Sequence, residues 1–186
     1  RLYDFFKDET CFLDIETQGH NGYITVVGIY DGYDTKTFVK GKNLYPEIIK
    51  KTLEQYKLLV TFNGSSFDLP VLEKFYPGII PTIPHMDLRH CCAKLNLTGG
   101  LKKIEEQLNI QRPQHLKGYG GDHAIELWRT YMASGREEYL QTLVDYNNED
   151  IINLKPLSNY CYNELRKLTF EQAIRKVYDL RWKEFS

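Results

Sequence analysis

Two acids stand two residues apart in the run Thr10-Cys11-Phe12-Leu13-Asp14-Ile15-Glu16, whose remaining residues are mostly apolar. Alternate side chains of a strand leave the same face, so the carboxylates of Asp14 and Glu16 project together. Two unit charges about 4 Å apart, at an effective dielectric near 20, repel by roughly 4 kcal/mol, and a shared divalent cation reverses that energy. A third acid, Asp68, ends the segment Thr61-Phe62-Asn63-Gly64-Ser65-Ser66-Phe67-Asp68, in which an apolar run empties into a glycine turn. It falls in the first turn of the helix that follows. Tyr146 and Asp150 are four residues apart and share one helix face, with Glu149 turned away from it. Each feature also has an ordinary structural reading: a solvated strand edge, an acid favoured at a helix N-terminus, or a tyrosine packed over a solvated acid.

The elements that must position these groups can be read from pattern. Residues 10–16 and Tyr23 to Tyr30 read as strands, with a polar loop from Thr17 to Gly22 between them. Asp31-Gly32 signals a hairpin into β-type residues Thr35 to Lys40, so the first 40 residues read as an antiparallel meander. Leu44, Ile48, Ile49, Leu53 and Tyr56 recur at helical spacing, and Lys57 to Phe62 is a buried strand. Ser65 or Ser66 is placed to cap a helix through Leu69, Leu72 and Phe75, which Tyr76-Pro77-Gly78 stops. Pro84 to Leu88 supplies a last short strand. Helices are expected over Leu101 to Leu108, Ile125 to Met132, Glu137 to Tyr146 and onward, and Phe170 to Phe185, with a long loop from Gln111 to Asp122. The expectation is one α/β domain over residues 1–186, with a mixed sheet of about five strands flanked by helices.

Composition narrows the function classes. A chain of 186 residues with 42% hydrophobic and 26% charged side chains suits one core. A net charge of −1 argues against gripping long duplexes by broad positive charge, though not against one local nucleic-acid site. The longest apolar stretches, such as residues 24–30, fall short of the roughly 20 residues that cross a bilayer. The cysteines Cys11, Cys91, Cys92 and Cys161 form no CxxC pair, which suits reduced thiols in a cytoplasmic setting. The chain opens at Arg1 without a Met, so upstream residues and further domains of a longer protein are an expected context, and nothing present has the charged-then-apolar layout of a signal peptide.

Taken together, Asp14, Glu16, Asp68 and Asp150 with Tyr146, in this order and in these local contexts, resemble the three motifs of the DEDD exonuclease superfamily of ribonuclease H-like folds. The match is to its tyrosine subtype, because the histidine subtype has His five positions before the last acid and Asp145 stands there. The segments Asp14-Ile15-Glu16-Thr17 and Asn63 to Pro70 look like the proofreading domains of family B polymerases. The chain length, with Leu101-Lys102-Lys103-Ile104-Glu105 and Leu127-Trp128, is more similar to the free-standing YprB-type ribonuclease H-like group. The resemblance implies 3′–5′ hydrolysis of nucleic-acid ends, DNA or RNA, with two Mg²⁺ or Mn²⁺ ions about 3.5–4 Å apart. All-oxygen ligands are what such hard cations take. Asp14 would bridge the ions, Glu16 and Asp150 would mainly hold the one that generates hydroxide, and Asp68 would help hold the one beside the leaving 3′ oxygen. A phenol with an ordinary pKa near 10 is a poor base, so Tyr146 would orient the attacking water, with proton abstraction as a second option. Asn63 and the backbone around Thr17 are candidate contacts for the terminal nucleotide, although Asn63 before Gly64 is equally a turn residue. The rival readings are a catalytically inactive nucleic-acid-binding or scaffold module of the same fold, and a phosphoesterase acting on small nucleotides.

Other features stay secondary. Arg89, Lys94, Lys102, Lys103, Arg112 and Lys117 outnumber Glu105 and Glu106 in residues 89–117 and could flank the strand's path, but Lys102 with either glutamate is equally a solvated helical pair. Tyr23 and Tyr119 are loop-adjacent candidates for stacking on bases. No histidine pair has a ligand spacing; His20, His115 and His123 fall in loops.

Overall fold

The computed structural model describes residues 2–19 and 22–183, and for residues 175–183 the backbone alone. His20 and Phe185 lie outside the described residues, as do the side chains of Val177 and Tyr178. In chain order the elements are α1 (Leu2–Phe6), β1 (Thr10–Thr17), β2 (Ile24–Tyr30), β3 (Thr35–Val39), α2 (Pro46–Leu53), β4 (Leu58–Thr61), α3 (Asp68–Phe75), β5 (His85–Asp87), α4 (Leu88–Lys94), α5 (Leu101–Gln107), α6 (Gly121–Ser134) and α7 (Glu137–Lys183).

Five strands form one mixed sheet in the order β3-β2-β1-β4-β5. The meander β1-β2-β3 is antiparallel, and β4 and β5 add in parallel through the crossovers that α2 and α3 supply. Gly32, at φ 96°, makes the β2–β3 turn, and Asp31 accepts the backbone N–H of Tyr33 at 2.9 Å and of Asp34 at 2.8 Å. β1 therefore lies at the centre, and every residue of it except Asp14 is buried.

Strand alternation then sorts β1 between two cores. Cys11, Leu13 and Ile15 pack with Ile49 and Leu53 of α2 and Leu72 of α3. Phe12 points the other way, into a cluster with Leu88 and Cys92 of α4, Ile104 of α5, and Ile151, Leu154 and Leu157 of α7. Asp14 and Glu16 share the parity of Phe12 and so leave the sheet on the side of α7.

α7 is a single helix of 47 residues, not two separate helices. Its buried positions Leu140, Leu143, Asn147, Asp150, Leu154, Leu157 and Cys161 run at steps of three and four, the spacing that keeps one stripe against the sheet. Pro156 removes a helical N–H, and the buried neighbours Leu154 and Leu157 hold the helix through it. Beyond Cys161 no described side chain is buried, so Phe170 and Ile174, expected on an amphipathic terminal helix, are exposed.

Two local expectations give way to longer-range contacts. α2 starts at Pro46, whose fixed φ suits a first helical position, while Leu44 and Tyr56 flank it against the core and Ile48 is exposed. Neither serine caps α3: its N-cap is Phe67, because the Ser65 hydroxyl is spent on Asp87 across the sheet edge at 2.5 Å.

Candidate metal centre

Asp14, Glu16 and Asp150 each bring a carboxylate oxygen into one cluster whose members all lie within 4.8 Å of one another, the one such group among the described residues. β1 supplies the first two on one face, and α7 crosses that face with Asp150 in its buried stripe. Asn147, three residues before Asp150 and fully buried, donates Nδ2–H to Asp14 Oδ2 at 2.9 Å. Its close approach needs Gly28, the β2 residue paired with Asp14, since a Cβ there would stand 2.1 Å from Asn147 Oδ1. Gly28→Ala should therefore push Asn147 off Asp14 and cost about 1–3 kcal/mol, the usual range for overpacking. Thermal melting and divalent-ion affinity should both fall in that variant; unchanged values would mean that α7 moves aside freely.

Asp68 stands beside this triad rather than inside it. It is buried at the first position of α3, and its Oδ1 accepts the backbone N–H of Ile15, the residue between the two β1 acids, at 3.0 Å. Burial pushes its carboxyl up to about 7, against the pull of that hydrogen bond. Asp14 is raised well above the ordinary carboxylate range by burial first, then by the charges of Asp68, Glu16 and Asp150. Glu16 is raised likewise, by burial and then by Asp150. Acids crowded in this way are poised to exchange protons for a cation.

Two cations enter the cluster from the segment read as a path-flanking or solvated stretch. Lys102, in the first turn of α5, donates from Nζ to the Tyr146 hydroxyl at 2.6 Å and lies 3.2 Å from Asp150 Oδ2. Arg112, just after α5, reaches Asp150 Oδ1 at 2.5 Å and also pairs with buried Glu105 through two of its nitrogens. The solvated pair expected of Lys102 with Glu105 or Glu106 gives way to two separate inward contacts, Lys102 with Asp150 and Arg112 with Glu105. Nothing local in the sequence marks these partners, because they sit 38 to 48 residues away from Asp150 or meet it only through the packing of α5 on α7. The clustered carboxyls of Asp14, Glu16 and Asp150, with Asp68 alongside, outnumber Lys102 and Arg112, and once deprotonated they suit a divalent ion.

Tyr146 is buried against the α6–α7 core and its phenol pKa is raised, first by burial and then by Asp150, Glu16 and Asp14. It stays a neutral phenol, with its oxygen accepting from Lys102.

The remaining candidates occupy the rim. Thr17 is buried at the end of β1, and its hydroxyl donates to the Gly19 carbonyl at 2.9 Å. Asn63 takes the left-handed turn at φ 64°, and its Oδ1 accepts from Arg89 at 2.5 Å. Asp87, at the end of β5, organises this turn by accepting Asn63 N–H, Ser65 N–H and hydroxyl, and Arg89 N–H. Burial alone would raise Asp87, and these bonds outweigh it and leave its pKa lowered. Beside them a cavity of about 570 Å³ is lined by Phe62, Asn63, Arg89, Leu97, Thr98 and Ile104, among others. Tyr23 is largely exposed but already covered by Lys40, 3.8 Å from its ring centroid, whereas Tyr119 packs beside the α6–α7 core. Among the described residues no helix is long and apolar enough to cross a membrane, and the four cysteines are free.

The donor set fits hard divalent cations: three convergent carboxylate oxygens, a fourth acid alongside, and no competing sulfur or imidazole in the cluster.

No curated protein matches the chain. The fold is similar to a family B DNA polymerase from the hyperthermophilic archaeon Pyrobaculum calidifontis, with a TM-score of 0.63 and 13% identity over 81% of this chain. The chain spans only 24% of that polymerase. A second solved structure, described as the apo form of the nuclease, has a TM-score of 0.58 and 18% identity, over 85% of this chain and 73% of its own. The model of the family RNase_H_2 matches residues 11–162, from the first core residues of β1 to the last buried turn of α7. With this match covering most of its length, the chain belongs to the RNase_H superfamily.

Proposed function

We propose that residues 1–186 form a single exonuclease domain of the tyrosine DEDD subtype, close to the YprB-type group, that hydrolyses the terminal phosphodiester of a nucleic-acid strand from its 3′ end. The observation that carries this reading is the convergence of Asp14, Glu16 and Asp150 within 4.8 Å, with Tyr146 one turn before Asp150. Asp14, Glu16 and Asp150 would hold one Mg²⁺ or Mn²⁺, and Asp14 with Asp68 a second. When bound, the ions supply water activation and neutralise charge on the scissile phosphate and the leaving 3′ oxygen.

The chain's own groups do the rest. Asn147 holds the Asp14 carboxylate in place through its Nδ2–H. Tyr146, kept neutral by burial and the surrounding acids, directs its hydroxyl hydrogen away from Lys102 and orients the attacking water; proton abstraction by the phenol is disfavoured. Asn63 and the Thr17 backbone flank the terminal nucleotide, and the cavity beside Asn63 and Arg89 gives an unpaired base room to leave the stack. Water adds to phosphorus, the bond to the 3′ oxygen breaks, and a nucleoside 5′-monophosphate departs. Nucleic acid as the partner is also consistent with the likeness to a polymerase and a nuclease. The four free thiols favour a reducing, cytoplasmic setting.

The test uses 5′-labelled single strands, duplexes and dinucleotides with Mg²⁺ or Mn²⁺. A ladder of products shortened from the 3′ end is expected, and Tyr146→Phe should lower kcat by about a hundredfold, the scale of a misplaced reactant. Binding without cleavage would identify a scaffold module instead, and preference for dinucleotides would identify a small-nucleotide phosphoesterase.

A further inference from the structure

The buried pair Glu105–Arg112 has no task in the reading above, and burial of an ion pair is weak evidence for a stabilising role. Side-chain exposure is 1% for Glu105 and 8% for Arg112. Replacing such a buried ionic group by apolar residues of similar volume is often neutral or stabilising, so its presence calls for another use. The local backbone is built to make the pair. α5 ends at Gln107, Asn109 takes a left-handed conformation at φ 56°, and the chain reverses so that Arg112 folds back onto Glu105 seven residues earlier. One edge of the guanidinium is thereby taken: Nε and one terminal nitrogen bind the two Glu105 oxygens, the latter at 2.7 Å. That same terminal nitrogen also reaches Asp150 Oδ1 at 2.5 Å, while the other terminal nitrogen is buried without a partner.

A guanidinium seated on one carboxylate is a rigid planar group with a fixed place, and the ion pair from its terminal nitrogen holds one oxygen of Asp150 beside that place. Asp150 is the triad member that comes from a different element than Asp14 and Glu16, so its aim depends on how α7 sits and on which rotamer it adopts. Lys102 cannot set that aim alone, since its ammonium lies nearly equidistant from the two Asp150 oxygens, at 3.3 and 3.2 Å.

We propose that Arg112, anchored by Glu105, is a positioning residue of the metal centre: it holds Asp150 through Oδ1 and leaves Oδ2 free of the guanidinium for the cation. The proposal deepens the metal-dependent reading given above, and it is decided by ion binding rather than by strand cleavage. The informative variant is Arg112→Lys, which keeps the charge and loses the fork. Loss of a partner that orients a metal ligand typically weakens binding by about 10- to 100-fold, and that is the rise in Mn²⁺ Kd expected for this variant by titration calorimetry or by the spin-resonance signal of free Mn²⁺. On an oligonucleotide, kcat should fall in step while KM changes little.

A purely structural Arg112 would lower the melting temperature and leave Mn²⁺ affinity as in the wild type, and that result overturns the proposal. Should Arg112→Lys fail to fold, Glu105→Gln keeps the volume and one acceptor while loosening the anchor. It should weaken Mn²⁺ binding, and unchanged affinity in it equally overturns the proposal. If the wild-type protein binds Mn²⁺ but shortens no strand, the exonuclease reading fails while the affinities of these variants still decide the role of Arg112.

Discussion

Asp14→Asn should lower strand shortening by about a thousandfold or more, equivalent to roughly 4 kcal/mol of barrier, while leaving the fold intact. The size follows from its place. Asp14 is the least enclosed residue of a central strand that is otherwise buried, it belongs to the 4.8 Å triad, and Asp68 lies beside it as well. An amide oxygen still accepts the Asn147 N–H that Asp14 now receives at 2.9 Å, so the α7 contact survives the substitution. The negative charge does not survive, and with it goes the ligand the two proposed ions would share. Burial and three neighbouring acids oppose ionisation of Asp14, so the metal-free variant should melt no lower than the wild type. Its stabilisation by Mn²⁺ should shrink sharply. Near-normal turnover in Asp14→Asn, measured with 5′-labelled substrate, would remove this residue from the mechanism.

The second large effect is a stabilisation by divalent ions that grows with pH while the metal-free protein loses stability. Asp68 titrates at about 7 in the folded chain, and Asp14 and Glu16 are raised well above their ordinary range. In the unfolded chain such carboxyls titrate near 4. Between these values the folded state binds more protons than the unfolded state, so stability from these groups is fully present below about pH 4 and is lost as pH rises through about 7. The metal-free protein should therefore melt at a lower temperature at pH 8 than at pH 5.5. Mn²⁺ takes the place of the bound protons, and its stabilisation should grow over the same interval. At a hundredfold excess over Kd the gain is about 2.7 kcal/mol. For a chain of this size that corresponds to roughly 5–10 °C. Melting curves with and without millimolar Mn²⁺ at the two pH values check the sign. Asp68→Asn should flatten the metal-free slope. A Mn²⁺ shift that is equal at both pH values, or absent, would mean that these acids do not form a preformed cation site.

Much of the site was legible before any tertiary structure, because its periodicities are local. The two-residue repeat of a strand puts Asp14 and Glu16 on the face of Phe12, and the structure keeps them there, opposite α7. The four-residue spacing of Tyr146 and Asp150 places both on the sheet side of α7, and the meander, the two crossovers and the glycine turn before Asp68 follow from runs of a few residues. These features depend on backbone geometry alone, which nearest neighbours in the chain dictate.

Other features needed the packed chain. Lys102 and Arg112 looked like members of a solvated or path-flanking basic stretch, since charge on a short helix carries no sign of which side it will turn inward. Only the seating of α5 on α7 brings Lys102 to Tyr146 and Arg112 to Asp150. Ser65 reads as a helix cap from sequence, but β5 delivers Asp87 to take its hydroxyl; Asn147 carries no local signal at all, and only the bare Cα of Gly28 lets it reach Asp14. From residue order alone the acids and their facing were determined. Their counter-charges and the hydrogen bonds that aim them were decided by tertiary packing, because a partner tens of residues away is chosen by how whole elements fill space, and no local repeat encodes that choice.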